Sequence, residues 1–194
     1  MPLISTLANA SARGYGMLRG GASVSSYESI ETFTVGSGGS STISFTSIPS
    51  TYKHLQIRAI GRSNYSGTST NLLYKLNGDA TASNYSYHAL RGDGSTATAT
   101  GGTSLNLMGN DVIVANTAVA NLFGTVVCDI LDYGNTSKYK TVRALGGRDA
   151  NGSGFIAFDS SLWLSTAAVT QIDIYPQNGS WMQYSHFALY GIKG

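Results

Sequence analysis

Two alternating apolar runs, separated by one proline-containing turn, occupy residues 41–62 in the sequence STISFTSIPSTYKHLQIRAIGR. In the second run Leu55, Ile57 and Ala59 alternate with polar residues, the period-2 pattern of a strand with one buried face. The connecting residues 49–51 lack the Asn-Gly or Asp-Gly dipeptide of a tight hairpin. We therefore predict two strands that need not pair directly and can lie in opposite layers of a β-sandwich. The side chains expected to point into the core are Ile43, Phe45, Ile48, Leu55 and Ile57.

The rest of the sequence repeats this pattern and favours strands throughout. Glycine is frequent, with 24 residues, and only 11% of the chain is charged, a composition typical of many strands joined by glycine- and asparagine-rich turns. We predict an all-β fold of about ten strands, an antiparallel, jelly-roll-like β-sandwich. Besides 41–48 and 52–62, the predicted strands are 27–35, 71–76, 84–90, 105–109, 111–114, 121–133, 137–145, 155–164, 169–175 and 184–192.

Several local expectations concern the connections. Residues 27–35 should form a hairpin with 41–48 through the glycine-rich turn at 36–41, and 92–103 should be a long exposed loop that offers a contact surface. Asn77-Gly78 and Asn151-Gly152 predict tight turns. Residues 115–120 should include a helical turn, and the aromatic residues of 155–164 should face the core.

Residues 1–26 differ from the rest and are predicted to form an extended N-terminal arm ahead of a β-sandwich domain at 27–194. The segment begins with apolar residues and continues with glycines that oppose a long helix. Apolar content with little charge favours docking on a partner subunit over solvation, although a frayed terminus is the alternative. The arm residues predicted to bind a partner are Leu3, Ile4, Leu7, Arg13, Tyr15, Met17 and Leu18.

Charge and composition argue against several classes of partner. The net charge of +2 arises from scattered residues, so neither nucleic acid nor an anionic membrane is expected as a partner. No run approaches the length of a membrane span, and the N-terminus lacks the pattern of a signal peptide, so we expect assembly in a cytoplasm. The single cysteine, Cys128, lies in the apolar run GTVVCDIL and is expected to be a buried, inert thiol.

The sequence nominates no catalytic, cofactor or metal site. His54, His88 and His186 each lie within a predicted strand and show no metal-ligand spacing. The aspartates are expected mostly at turns and strand ends, where Asp bonds the local backbone, and no pair is nominated for hydrolysis. Twelve tyrosines together with Trp163 and Trp181 favour either cross-strand packing or a sugar-stacking face. We expect a protein that is not an enzyme.

Three segments resemble a group of tailed-bacteriophage virion proteins, and the likeness covers nearly the whole chain. They are SYESIETFTVGSGGSSTISFTSIPSTYKHLQIRAIGRS, LLYKLNGDATASNYSYHAL and the final FALYGIKG, and the opening LISTLANASARGYG resembles the N-terminal arm of that group. Proteins of this kind are head decoration or cement proteins, tail-fibre components and other structural proteins. The resemblance implies a role in virion assembly and identifies no active site.

Among these roles we expect a capsid decoration (cement) protein, because the chain is one β domain with an apolar arm and has no repetitive shaft. The expected partners are the major capsid protein or other virion proteins, with the domain as a homotrimer and the arm bridging capsomers. The alternative is a tail-fibre or receptor-binding module that recognises host surface glycans.

Overall fold

A computed structural model describes residues 26–194, which fold as an all-β, antiparallel sandwich of two sheets. This part of the chain contains twelve strands, and no helix in it is long and apolar enough to cross a membrane. The strands are β1 (Tyr27–Thr34), β2 (Ile43–Phe45), β3 (His54–Gly61), β4 (Ser69–Leu76), β5 (Tyr85–Gly92), β6 (Ala97–Leu105), β7 (Met108–Val114), β8 (Gly124–Ile130), β9 (Lys140–Asp149), β10 (Gly154–Trp163), β11 (Ile172–Pro176) and β12 (His186–Ile192).

The two sheets are unequal in size. The larger has eight strands in the order β1-β12-β3-β8-β9-β10-β5-β6, and the smaller has four in the order β2-β11-β4-β7. The chain crosses between the sheets repeatedly, so most strands pair with partners distant in sequence. The predicted jelly-roll-like sandwich is confirmed, while the predicted arm lies outside the described residues except for Ser26.

The core lies between the two sheets and is built from the alternating positions of the sequence. Ile43 and Phe45 of β2 are 1% exposed, and Leu55 and Ile57 of β3 are fully buried. Removing such a side chain from water contributes about 1.5–3 kcal/mol, so each of these positions favours folding by that order. The five predicted core residues, including Ile48 at 5% exposure, are therefore confirmed.

The two runs at 41–62 belong to different sheets, an arrangement that their connection allowed. β2 pairs with β11 in the smaller sheet, and β3 lies between β12 and β8 in the larger one. The residues between them therefore cross from one layer of the sandwich to the other.

The predicted hairpin between 27–35 and 41–48 is wrong. β1 pairs with β12 at the edge of the larger sheet, whereas β2 pairs with β11 in the smaller. Gly39 donates to the carbonyl of Gly36 in a turn, and this turn carries the chain between sheets instead of folding it back. A turn signal thus fixes a change of direction, but it does not say which strands pair.

The predicted loop at 92–103 is also wrong in its structure, because β6 occupies Ala97–Leu105 and pairs with β5. The strand has no buried apolar face, so the alternation that reveals other strands is missing. Asp93 instead organises the turn before it, where Oδ1 accepts from the backbone N–H groups of Ser95 (2.9 Å) and Thr96 (2.7 Å). The predicted exposure of this segment is correct.

The predicted tight turns are present and use left-handed backbone. Asn77 and Gly78 have φ of 51° and 66°, and Asn151 and Gly152 have φ of 53° and 105°. Residues 115–120 form a hydrogen-bonded turn, not a helical segment, with Ala118 donating to the carbonyl of Ala115.

Candidate functional site

Four apolar side chains form a continuous row across the solvent face of the eight-stranded sheet. Leu90 stands opposite Phe158, Phe158 opposite Leu145, and Leu145 opposite Val127, on four adjacent strands. Their exposed fractions are 58%, 48%, 50% and 41% in the order Leu90, Phe158, Leu145, Val127. We call these residues the apolar row, and Ile156, on the same face of β10, is 57% exposed beside it.

The position of Phe158 corrects one prediction, because the aromatics of residues 155–164 were expected to face the core. The inward positions of β10 are Ala157, Asp159, Ser161 and Trp163, all buried. Phe158 has the opposite parity and points to solvent. The strand is apolar on both faces, and in such a run the sequence does not show which face is inside.

A cluster of polar and aromatic groups adjoins the apolar row on the same face. The guanidinium of Arg58 lies 5.8 Å from the centroid of the Tyr27 ring and 5.3 Å from that of Tyr190. Its Nε donates to Gln56 Oε1 at 2.9 Å, and Gln56 Nε2 donates to Asp129 Oδ1 at 2.8 Å. Arginine and tyrosine over an apolar patch is a composition enriched at protein interfaces.

A pair of aspartates is buried between the sheets. Asp111 of β7 is 0% exposed and Asp159 of β10 is 1% exposed. Tyr74 Oη donates to Asp111 Oδ2 at 3.0 Å, and Ser161 Oγ donates to Asp159 Oδ1 at 2.6 Å. The other oxygen of each carboxyl and Nε of Arg91 have no hydrogen-bond partner among the described residues.

This environment favours the protonated acids. Burial, and after it the negative charge of Asp159, raises the pKa of Asp111 to about 8, although hydrogen bonding and the Arg91 guanidinium favour its carboxylate. Burial likewise raises the pKa of Asp159 to about 6, against a hydrogen bond from Ser161. The pair therefore keeps a proton at neutral pH, but its burial closes it to a substrate.

Asp111 and Asp159 are exceptions to the expectation that most aspartates lie at turns and strand ends, because both lie within strands. The sequence gives a partial signal for Asp159, which shares the parity of Ala157 and Trp163 on β10. Because β10 also carries apolar residues on its other face, this parity alone does not show that the carboxyl lies inside the sandwich. Asp111 offers no comparable signal, since all seven residues of β7 are buried.

A cleft of about 410 Å³ opens at one end of the sandwich, where three distant parts of the sequence meet. Arg62, at the end of β3, organises its wall. Nη1 donates to the carbonyls of Val119 (2.7 Å) and Leu122 (2.9 Å), and Nη2 donates to those of Asn116 (3.1 Å) and Ala118 (3.0 Å). One buried guanidinium thus holds the turn between β7 and β8 in shape.

Among the described residues that line this cleft, Arg62 carries the charge, and both of its terminal nitrogens donate to backbone carbonyls. Tyr184 lies at the rim with 69% of its surface exposed and a φ of +72°, a conformation that is unusual for a bulky residue. Asn121, also in the lining, has a φ of +62°. The residues that line the cleft are Arg62, Asn116, Ala118, Ala120, Asn121, Phe123, Met182, Gln183 and Tyr184.

The three histidines lie on three different strands and make different contacts. His54 Nδ1 accepts from the backbone N–H of Asp132 at 2.9 Å, and His186 Nδ1 lies 2.9 Å from Thr34 Oγ1. His88 is exposed on β5. Across residues 26–194, no three histidine, cysteine or acidic side chains form a group that could hold a metal ion.

Other residues singled out in the sequence are structural. Cys128 is fully buried in the core, as expected, and burial raises the pKa of its thiol well above the ordinary value. Trp163 and Trp181 are 2% and 1% exposed, so neither offers a sugar-stacking surface. The predicted arm contacts lie outside the described residues, namely Leu3, Ile4, Leu7, Arg13, Tyr15, Met17 and Leu18.

Comparison with known proteins gives no family. No family model matches the sequence, and no curated protein matches it. Among solved structures, the chain is similar to the CBM40 of a Ruminococcus gnavus IT-sialidase bound to α2,3-sialyllactose, with 9% identity and a TM-score of 0.32 over 84% of this chain and 90% of that one. It is also similar to the galectin LEC-6 of Caenorhabditis elegans, with 11% identity and a TM-score of 0.27 over 84% of this chain and 96% of that one. Likeness this weak carries no inference about ligand or role.

Proposed function

We propose that the chain is a non-enzymatic virion structural protein, a capsid decoration protein whose sandwich packs against neighbouring copies of itself in a homotrimer through the apolar row. The observation that carries the proposal is the row itself. Four apolar side chains in direct cross-strand register form a single patch, whereas scattered exposed apolar residues would not.

The row supplies a physical reason for association. Fully burying a leucine, valine or phenylalanine contributes about 1.5–3 kcal/mol, so covering the exposed half of each side chain contributes about 1 kcal/mol. The Arg58 cluster beside it adds directional groups that set orientation. A modest contact of this size becomes effective when many copies act together on a shell.

The proposal assigns no chemistry to the carboxyl pair. Asp111 and Asp159 lie between the sheets, so they act on the stability of the fold. The three histidines are spread over β3, β5 and β12, and two of them are hydrogen-bonded within the fold. These positions favour a structural role over hydrolysis.

The proposal also assigns a partner to residues 1–26 and an oligomeric state to the chain. The apolar residues 1–26 bridge to the major capsid protein or another virion protein, and three copies form a homotrimer in the virion after assembly in the host cytoplasm. β1 is the outermost strand of the larger sheet, so the described part of the chain begins at an edge of that sheet.

The first test replaces Phe158, at the centre of the apolar row, with glutamate. Phe158→Glu is expected to abolish the trimer in light scattering and to remove the protein from purified virions, because a charge in the row opposes its burial. Val119→Glu is the matched control, since Val119 is 63% exposed on a loop away from the row. Trimers and virion occupancy at the wild-type level for Phe158→Glu would contradict the proposal.

A second variant, lacking residues 2–24, tests the arm separately. It is expected to keep the trimer of the intact chain while its occupancy on virions falls. Full occupancy of virions by the shortened chain would show that the arm is not the bridge.

A further inference from the structure

The end cleft has the composition of a ligand site, and it lies apart from the apolar row. It joins the turn at 115–123 to residues 182–184, whereas the row crosses the middle strands of the larger sheet. Its wall is fixed in advance by the four hydrogen bonds that Arg62 donates to backbone carbonyls. A preformed concave surface of this kind lowers the entropy lost on binding.

The chemistry of the lining selects a class of ligand. Both terminal nitrogens of Arg62 are occupied, so the guanidinium is not available to phosphate or carboxylate. The carboxamides of Asn116, Asn121 and Gln183 provide donors and acceptors without charge. The rings of Tyr184 and Phe123 supply flat apolar surface beside them.

The backbone of Tyr184 gives an independent reason to assign a function to this residue. A bulky side chain at a φ of +72° is strained, by about 1–3 kcal/mol, and glycine would relieve that strain. The residue is 69% exposed, so its side chain packs little against the domain, and the backbone is held by the hydrogen bond that its N–H donates to the carbonyl of Val35 at 3.0 Å. A strained, exposed aromatic at the rim of a cleft is explained if the ring serves to contact a ligand.

We propose that this end cleft binds a neutral oligosaccharide, with a sugar ring stacked on Tyr184 and hydroxyl groups hydrogen-bonded to Asn116, Asn121 and Gln183. Among residues 26–194 the lining holds no carboxylate that could act on a glycosidic bond, so in this proposal the saccharide is bound and not cleaved. The site stands whether or not the apolar row is an assembly surface.

The experiment titrates the full-length protein with maltohexaose, cellohexaose and chitohexaose, followed by saturation-transfer NMR and calorimetry. We expect saturable binding of at least one of them by the wild-type chain. Tyr184→Gly and Asn121→Gly suit the left-handed backbone at their positions, so both are expected to fold. Tyr184→Gly should weaken binding by on the order of tenfold, and Asn121→Gly by less.

Tyr139→Ala is the matched control, because Tyr139 is 52% exposed and lies outside the cleft. Its affinity is expected to equal that of the wild type. The proposal is overturned if none of the three saccharides binds, if Tyr184→Gly binds as tightly as the wild type, or if Tyr139→Ala loses as much affinity. Since Phe158→Glu is expected to leave saccharide binding unchanged, failure of assembly and failure of this site are distinguishable.

Discussion

Asp111 couples the folding of this protein to the uptake of a proton. Its pKa rises from an ordinary 3.8 to about 8 in the folded chain, chiefly through burial. Because the folded pKa lies above the unfolded one, the stabilising contribution is complete below about pH 4 and is lost as the pH rises through 8. Asp159, raised to about 6, adds to the same trend, while the Arg91 guanidinium opposes it.

Asp111→Asn replaces the titrating carboxyl with an uncharged carboxamide of nearly the same size and shape. We expect the melting temperature of the variant to exceed that of the wild type at pH 9, where the wild type must bury a charge, and to depend less on pH between 6 and 9. Asp93→Asn is the control, since Asp93 is exposed and backbone N–H donors lower its pKa. A parallel decline of Asp111→Asn and the wild type with rising pH would show that Asp111 is not the titrating group.

Which residues of a strand can be predicted to face the core depends on whether its two faces differ in polarity. The core positions of β2 and β3 follow from alternation, because their strands have one apolar and one polar face. Phe158 and Leu145 belong to strands with apolar residues on both faces, so the outward row is not visible in the sequence. The cleft is less visible still, since Arg62, Asn121 and Tyr184 come together only in the folded chain.

Among the elements, the turn between β7 and β8 depends most on one side chain. Residues 116, 118, 119 and 122 present their carbonyls to Arg62, which is 6% exposed. Hydrogen bonds to a charged donor contribute about 1.5–3 kcal/mol each when intact, and they are not additive. The turn is thus ordered from the end of β3, outside its own sequence.

Arg62→Met keeps much of the length of the side chain but removes its donors. We expect a loss of about 3 kcal/mol in the free energy of unfolding, together with faster amide hydrogen exchange in residues 115–122. Arg58→Met is the comparison, because Arg58 lies on the open face of the sheet and should cost less. Unchanged exchange in the turn after Arg62→Met would contradict the role given to the guanidinium.

The edge strands of the larger sheet owe their pairing to distant or polar partners. β6 is a strand because its backbone pairs with β5, and its side chains, mostly exposed, carry no apolar period. The partner of β1 is β12, more than 150 residues away, and no local signal specifies that pairing. Most strands can be recognised from their own residues, whereas the order of the strands in a sheet depends on contacts between distant parts of the chain.

The larger sheet has eight strands and the smaller has four, so connecting segments cover part of the inner face of the larger sheet. The turn after β4 does this over β10 and β5: Trp163 Nε1 donates to Asp79 Oδ2 at 2.8 Å, and the Trp163 and Tyr85 rings stack with centroids 6.4 Å apart. Asp79 therefore joins a turn of the smaller sheet to the inner face of the larger. This hydrogen bond satisfies the indole N–H of Trp163, which is 2% exposed.

The pairing of β1 with β12 brings the first and last described residues of the chain together. Tyr27 stands opposite Ile192, and the backbone N–H of Lys193 donates to the carbonyl of Ser26 at 3.0 Å, so the two ends of the domain are neighbours. A short glycine-serine linker could join residue 194 to residue 26, with new termini opened in the exposed turn between β5 and β6. We expect this circular permutant to show the wild-type far-ultraviolet circular dichroism and a cooperative melt, and a molten permutant would show that the native chain order is needed for folding. By the same geometry, cargo fused after Gly194 would emerge at the outer edge of the larger sheet, beside the first residues of β1.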